Sequence, residues 1–135
     1  MLVLSHRLAD VALMSLQTGA SVARTTGAII DPRRLHIVAF NCEGRTLDIK
    51  PAIIHTTDIR EVSDVGFIID DSDAIRDPDE LVRLKEIIDF NFQLMGIHVV
   101  DNHGKKLGTV ADYATDPLGF LIHKLHVKRP LLTSL

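Results

Sequence analysis

Apolar and polar residues alternate in short runs along most of the chain, and turn-forming residues interrupt them at close intervals. Alternation with period two puts one face of a strand in a core and the other toward water. Leu13–Leu16 is the first such run, and Gln17–Ala20 reads as the turn that ends it. Val22–Ile30 predicts a longer strand, with Gly27 allowing a bend or bulge. Asp31-Pro32-Arg33-Arg34 is a turn signal, because proline presets φ and aspartate bonds the backbone ahead of it. Leu35–Cys42 follows as the partner strand, then Pro51–Thr56, an irregular turn over Thr57–Glu61, and a strand over Val65–Asp70. After a break, His98–Asp101, Leu107–Ala114 and Phe120–Val127 predict three more strands, joined by turns at Asn102–Lys105 and Thr115–Gly119.

Only one segment has helical spacing. Leu81, Leu84, Ile88, Phe92 and Met95 make an apolar stripe, which predicts an amphipathic helix over about Pro78–Phe92. Asp77 suits its N-cap, Pro78 its first position, and Glu80 stands at capping-box distance. A core-facing stripe is the better reading than a partner-binding one. The acidic run of Asp70, Asp71, Asp73, Asp77 and Asp79 precedes it as a wet linker.

The predicted elements occur twice. Asp31-Pro32 and Asp116-Pro117 are 85 positions apart, as are Gly19 and Gly104, and Ile37 and Ile122. The apolar positions match as well: Val22 with Leu107, Leu35 with Phe120, Phe40 with Leu125. An internal repeat fixes the architecture before any residue-level chemistry is weighed. It favours a duplicated scaffold over one asymmetric catalytic pocket. The copies end differently, because residues equivalent to Pro51–Asp70 would lie beyond Leu135. The second copy is therefore expected to lack its last two strands, through truncation or because a partner supplies them.

Composition adds limits. The chain has 135 residues and a net charge of −3, which argues against broad electrostatic binding to nucleic acid. Tryptophan is absent and aromatics are few, so Ile, Leu and Val must build the core. The single cysteine, Cys42, excludes an intrachain disulfide and a multi-cysteine zinc site, and a reducing cytoplasmic setting is expected. The N-terminus lacks the order of a signal peptide, and charges interrupt every apolar run short of membrane-spanning length.

Two stretches carry a family resemblance. Met14–Gly19, Ile29-Ile30-Asp31-Pro32 and Thr57–Glu61 resemble the PRC-barrel, the β-barrel of the photosynthetic reaction centre H subunit and of a ribosome-maturation factor. Leu94–Gly96 and Val99–Val110 resemble its more typical form, a hairpin of pattern V-x-x-x-x-G-x-x-I-G-x-V, with Asp116-Pro117 after it. The resemblance implies a mainly β fold of two tandem small PRC-type barrel units joined by one amphipathic helix. Residues 1–72 would form the first unit, 73–95 the acidic linker and helix, and 96–135 the second unit without its last strands. It also implies a non-enzymatic scaffold or adaptor for a protein partner, with an accessory role in ribosome or RNA maturation as the alternative. A homodimer through the open edge of the second unit is a further expectation.

Candidate chemistry is sparse. Of the seven histidines, His123 and His126 should point to opposite faces of a strand, His98 and His103 flank a turn without a cysteine partner, and His36 and His55 lie in separate strands and could meet only in the fold, so no metal is expected. A calcium loop fails because Ile75 and Arg76 occupy the ligand and glycine positions. Gly104-Lys105-Lys106 lacks the context of a phosphate loop. No serine lies in an elbow motif, and Cys42 has no basic neighbour in sequence. A small enzyme is the least favoured class, and no cofactor is expected. Lys105, Lys106, Lys128 and Arg129 are the candidate partner surface, at a hairpin tip and in the basic C-terminal cluster with His123, Lys124 and His126. Without stacking aromatics, that surface suits a protein better than RNA.

Overall fold

The computed structural model describes residues 1–130. The fold is mainly β, with one α-helix and two sheets. The strands are β1 (Val3–Leu4), β2 (Ala12–Ser15), β3 (Ser21–Asp31), β4 (His36–Glu43), β5 (Ala52–His55), β6 (Glu61–Ser63), β7 (Gly66–Ile69) and β8 (Ile75–Arg76). Helix α1 (Val82–Phe90) comes next, then β9 (His98–Val100), β10 (Lys106–Thr115) and β11 (Ile122–Lys128).

The first sheet runs β6-β7-β2-β3-β4-β5-β8. In the second, β10 pairs with β11 on one side and with β1 and β9 on the other. Among the described residues neither sheet closes on itself. Backbone pairing also crosses the expected boundary at residue 72. Val3 and Leu4 bond to Thr115 and Ala114 of the second copy.

The repeat holds at the level of register. Arg24 lies opposite Glu43, Ala28 opposite Phe40, and Ile30 opposite Ile37. The residues 85 positions on make the same pairs: Thr109 with Lys128, Tyr113 with Leu125, and Thr115 with Ile122. Each copy has three bulges, each with an extra residue at the same place: Val22 and Leu107, Thr26 and Ala111, Val38 and His123. Such bulges bend and twist a strand pair. Leu35 and Phe120, also equivalent, both take a left-handed backbone (φ 46° and 56°) at the end of the Asp-Pro turn.

The copies meet about a local two-fold. The Ile37 amide donates to the Phe120 carbonyl at 2.9 Å, and the Ile122 amide donates to the Leu35 carbonyl at 2.9 Å. An antiparallel bridge joins His36 to its own equivalent, Leu121. Reciprocal contacts of this kind are what an isologous dimer makes, here within one chain. Phe120 then enters the core of the first copy. Its ring lies 5.6 Å from Phe40 and 5.9 Å from Phe67, and those two are 5.3 Å apart, all tilted or edge-on as aromatic quadrupoles prefer. Leu13, Ile37, Ile54, Ile69, Val110 and Tyr113 complete one core shared by both copies.

The helix is shorter than the periodicity predicts. Asp77 does cap, with its carboxylate accepting from the Asp79 amide, but it starts only a 3₁₀ turn over Pro78–Glu80. Leu81 (ψ 72°) breaks that turn from α1, and Asn91 in the left-handed region ends the helix before Phe92. Leu84 is buried, and Leu81, Ile87 and Ile88 pack with it on Val38, Ala39 and Ile53. The helix thus covers the outer face of the first sheet, and Phe92 packs against the main core instead. Met95, assigned to the stripe, is exposed. Among the described residues no helix is long and apolar enough to cross a membrane.

Candidate functional site

Both faces of β4 are buried, one in the main core and the other under α1. The equivalent strand β11 does not enjoy that cover. In the first copy β5 lies antiparallel on β4, with Ala39 opposite His55, Phe40 opposite Ile54, Asn41 opposite Ile53 and Cys42 opposite Ala52. The matching positions of β11 are Lys124, Leu125, His126 and Val127; β10 pairs with them on one side, and among the described residues no strand pairs with them on the other. The consequence is visible in one pair: Phe40 is 0% exposed, and its equivalent Leu125 is 38% exposed. Leu107 and Val100 are exposed on the same small sheet, and Leu121 is exposed just before β11.

Beside this edge lies a cleft of about 540 Å³ lined by His98, Val99, Val100, Lys106, Gly108, Thr109, Lys128, Arg129 and Pro130. Register builds it. His98 and Lys128 both lie opposite Thr109, so one row crosses three strands, and Lys106 lies opposite Val100 at the sheet end. Gly108 permits the close approach of β11, because a Cβ there would strike the Lys128 carbonyl, and its φ of 137° excludes other residues without strain. Three of the four predicted cations, Lys106, Lys128 and Arg129, therefore come together. Lys105 stays on the exposed hairpin tip, where its amide donates to Asp101 at 2.9 Å. Sequence reading missed His98 and Thr109 as cleft residues. Only the strand register could have revealed them.

The acidic groups near this surface are engaged in structure. Burial tends to raise the Asp116 carboxyl, but the Gly119 amide, the His123 ring and the Leu118 and Leu121 amides together hold it down at about 2. Its contacts to Gly119 and His123 measure 2.6 and 2.8 Å. Asp31, the equivalent residue, is also lowered, first by its side-chain bond to Arg33. Asp112 accepts from Ser5, and from the His6 ring at 2.8 Å, which ties the N-terminal segment to the second sheet. Burial raises it and these bonds lower it, with a net lowering. The carboxylate lies between the hydroxyl and the imidazole, so the imidazole cannot take a proton from Ser5, as nucleophile activation requires.

Other predicted chemistry resolves the same way. Burial pushes the Cys42 thiol up to about 11 and the Tyr113 hydroxyl up to about 12. Asp70 pairs with Arg60 at 2.8 Å, and Asp71 caps a 3₁₀ turn through the Asp73 amide. Among the described residues no three His, Cys, Asp or Glu side chains gather as a metal site would need. A larger depression of about 820 Å³ lies at the open end of the β3–β4 hairpin, lined by Asp10, Arg24, Glu43, Arg45 and Lys50 among others. Its charges are mixed, and Asp10 already engages Arg24 at 2.5 Å.

No protein-family model matches the chain, and no curated protein matches it in sequence.

Proposed function

We propose that this chain is a non-enzymatic scaffold of tandem PRC-barrel type that binds a protein partner at the second copy. The observation that carries the reading is the contrast between β4 and β11. Equivalent strands have equivalent registers, yet one is covered by β5 and the other presents Leu125 and an edge that no strand among the described residues pairs. Unpaired strand edges recruit further strands. The cleft holding Lys106, Lys128 and Arg129 adjoins that edge and extends the contact area. The matching turns, bulges and left-handed residues of the two copies support the tandem-unit reading. The non-enzymatic part is supported by the engagement of Asp31, Asp112 and Asp116 in turns and anchors, and by thiol and phenol groups held protonated.

Affinity capture from native lysate, identified by mass spectrometry and repeated with Leu125→Ser, tests this. The account expects a protein partner that is lost with the substitution while circular dichroism stays unchanged. Ribosomal proteins, together with salt-sensitive RNA association, would replace it with the maturation-factor reading.

A further inference from the structure

We infer that the β11 edge receives an acidic, alternating strand of a partner protein, with Asp or Glu on one face and Val, Ile or Leu on the other. The inference deepens the docking reading above and rests on it. Cross-strand neighbours share a face of the sheet. Leu125 lies opposite Tyr113 and Val127 opposite Val110, both core residues, so these two positions form the apolar face. Lys124, His126 and Lys128 lie opposite Ala114, Asp112 and Thr109 on the other face.

An incoming strand laid down as β5 lies on β4 therefore meets two apolar side chains on one side and three basic ones on the other. Asp112 offers these basic side chains little, because Ser5 and His6 already occupy its oxygens. Antiparallel entry brings the N-terminal end of the incoming strand to Lys128, where the cleft adds Lys106 and Arg129. Complementarity then calls for the pattern acidic-apolar-acidic-apolar-acidic.

The same charges disfavour a second copy of this chain. A two-fold β11 pair that keeps Leu125 and Val127 on the core face sets Lys124, His126 and Lys128 against the same three residues. Directly opposed like charges destabilise a strand pair. Single-stranded nucleic acid fits less well, because β9 and β11 carry no Phe, Tyr or Trp on which bases stack.

The test uses the full chain and blocked peptides: Ser-Glu-Val-Glu-Ile-Glu-Ser, and the same peptide with Lys or with Gln at each Glu. Amide exchange is followed residue by residue, and affinity by fluorescence anisotropy. The acidic peptide should slow exchange across Lys124–Val127 and bind at least ~10-fold tighter than the lysine peptide, weakening as salt rises. The pair Lys124→Glu and Lys128→Glu, both at exposed side chains, should invert that preference without shifting Tm. Equal protection by all three peptides overturns the acidic strand and leaves strand docking standing. Absence of protection at β11 by every peptide overturns both. An oligouridine that gives the same footprint at equal or tighter affinity overturns the inference in favour of nucleic acid. Doubling of mass with β11 protection in the free protein overturns it in favour of a second copy.

Discussion

Asp116 shows how much one residue of the repeat carries. Its carboxylate accepts from the Leu118, Gly119 and Leu121 amides and contacts the His123 ring, closing the Asp-Pro turn that positions Phe120. Folding holds its pKa at about 2, against an ordinary 3.8, so the ionised form is favoured by the native state. Its stabilisation is complete above the ordinary value and is lost as pH falls from 3.8 toward 2, and solvent screening at this partly exposed carboxylate keeps it to about 1 kcal/mol. Urea denaturation across that range should show the decline, and Asp116→Asn should make it shallower, leaving the part carried by Asp31 and Asp112. Phe120 is the second such residue. It combines a left-handed backbone with a place in the aromatic trio. Phe120→Ala should cost roughly 3–5 kcal/mol, whereas Leu118→Ala, in the same turn but 95% exposed, should cost under about 0.5 kcal/mol. The role of Asp116 was legible as a turn signal. The direction in which Phe120 points was not, because no local pattern says that a residue of one copy fills the core of the other.

Among the elements, β10 is the one whose sequence constrains its neighbours most. Gly108 lies where the Lys128 backbone leaves no room for a side chain. Gly108→Ala should cost roughly 1–3 kcal/mol and deprotect the Thr109 and Lys128 amides in hydrogen exchange. Gly27 has open space and an ordinary backbone, so Gly27→Ala should be tolerated within about 1 kcal/mol. For α1, Leu84→Ala removes a buried contact to the small cluster with Val38 and Ile53 and should cost about 2–3 kcal/mol. The strands were legible because alternation and Asp, Pro and Gly turn signals agree along the chain. The bulge at Thr26 was legible from the adjacent Gly27, but those at Val22 and Val38 were not, since an extra unpaired residue leaves no mark in a period-two pattern. The helix ends were misplaced because Leu81 fits the apolar stripe while its backbone has left the helical region. Strand β1 is two residues long and offers no periodicity to read.

At the scale of the whole molecule, the duplication read from sequence becomes a fused pair with one shared core. Ile37 and Ile122 exchange backbone bonds with the turns of the opposite copy, and the aromatic trio draws on both. The two copies should therefore unfold together, with near- and far-ultraviolet circular dichroism giving one coincident transition. The break in the symmetry lies at β11, where the equivalent of a buried phenylalanine is a leucine at the surface beside a row of cations. The clustering of Lys106, Lys128 and Arg129 was legible as charge, but only the register brings the hairpin and the last strand to one cleft. The most direct test of the scaffold account is amide exchange across Lys124–Val127 and Ala39–Cys42, compared between the free chain and the chain bound to its captured partner. The account predicts that binding slows exchange in β11 toward the level of β4 and leaves β4 unchanged. Unaltered exchange in β11, with protection appearing elsewhere, would contradict it.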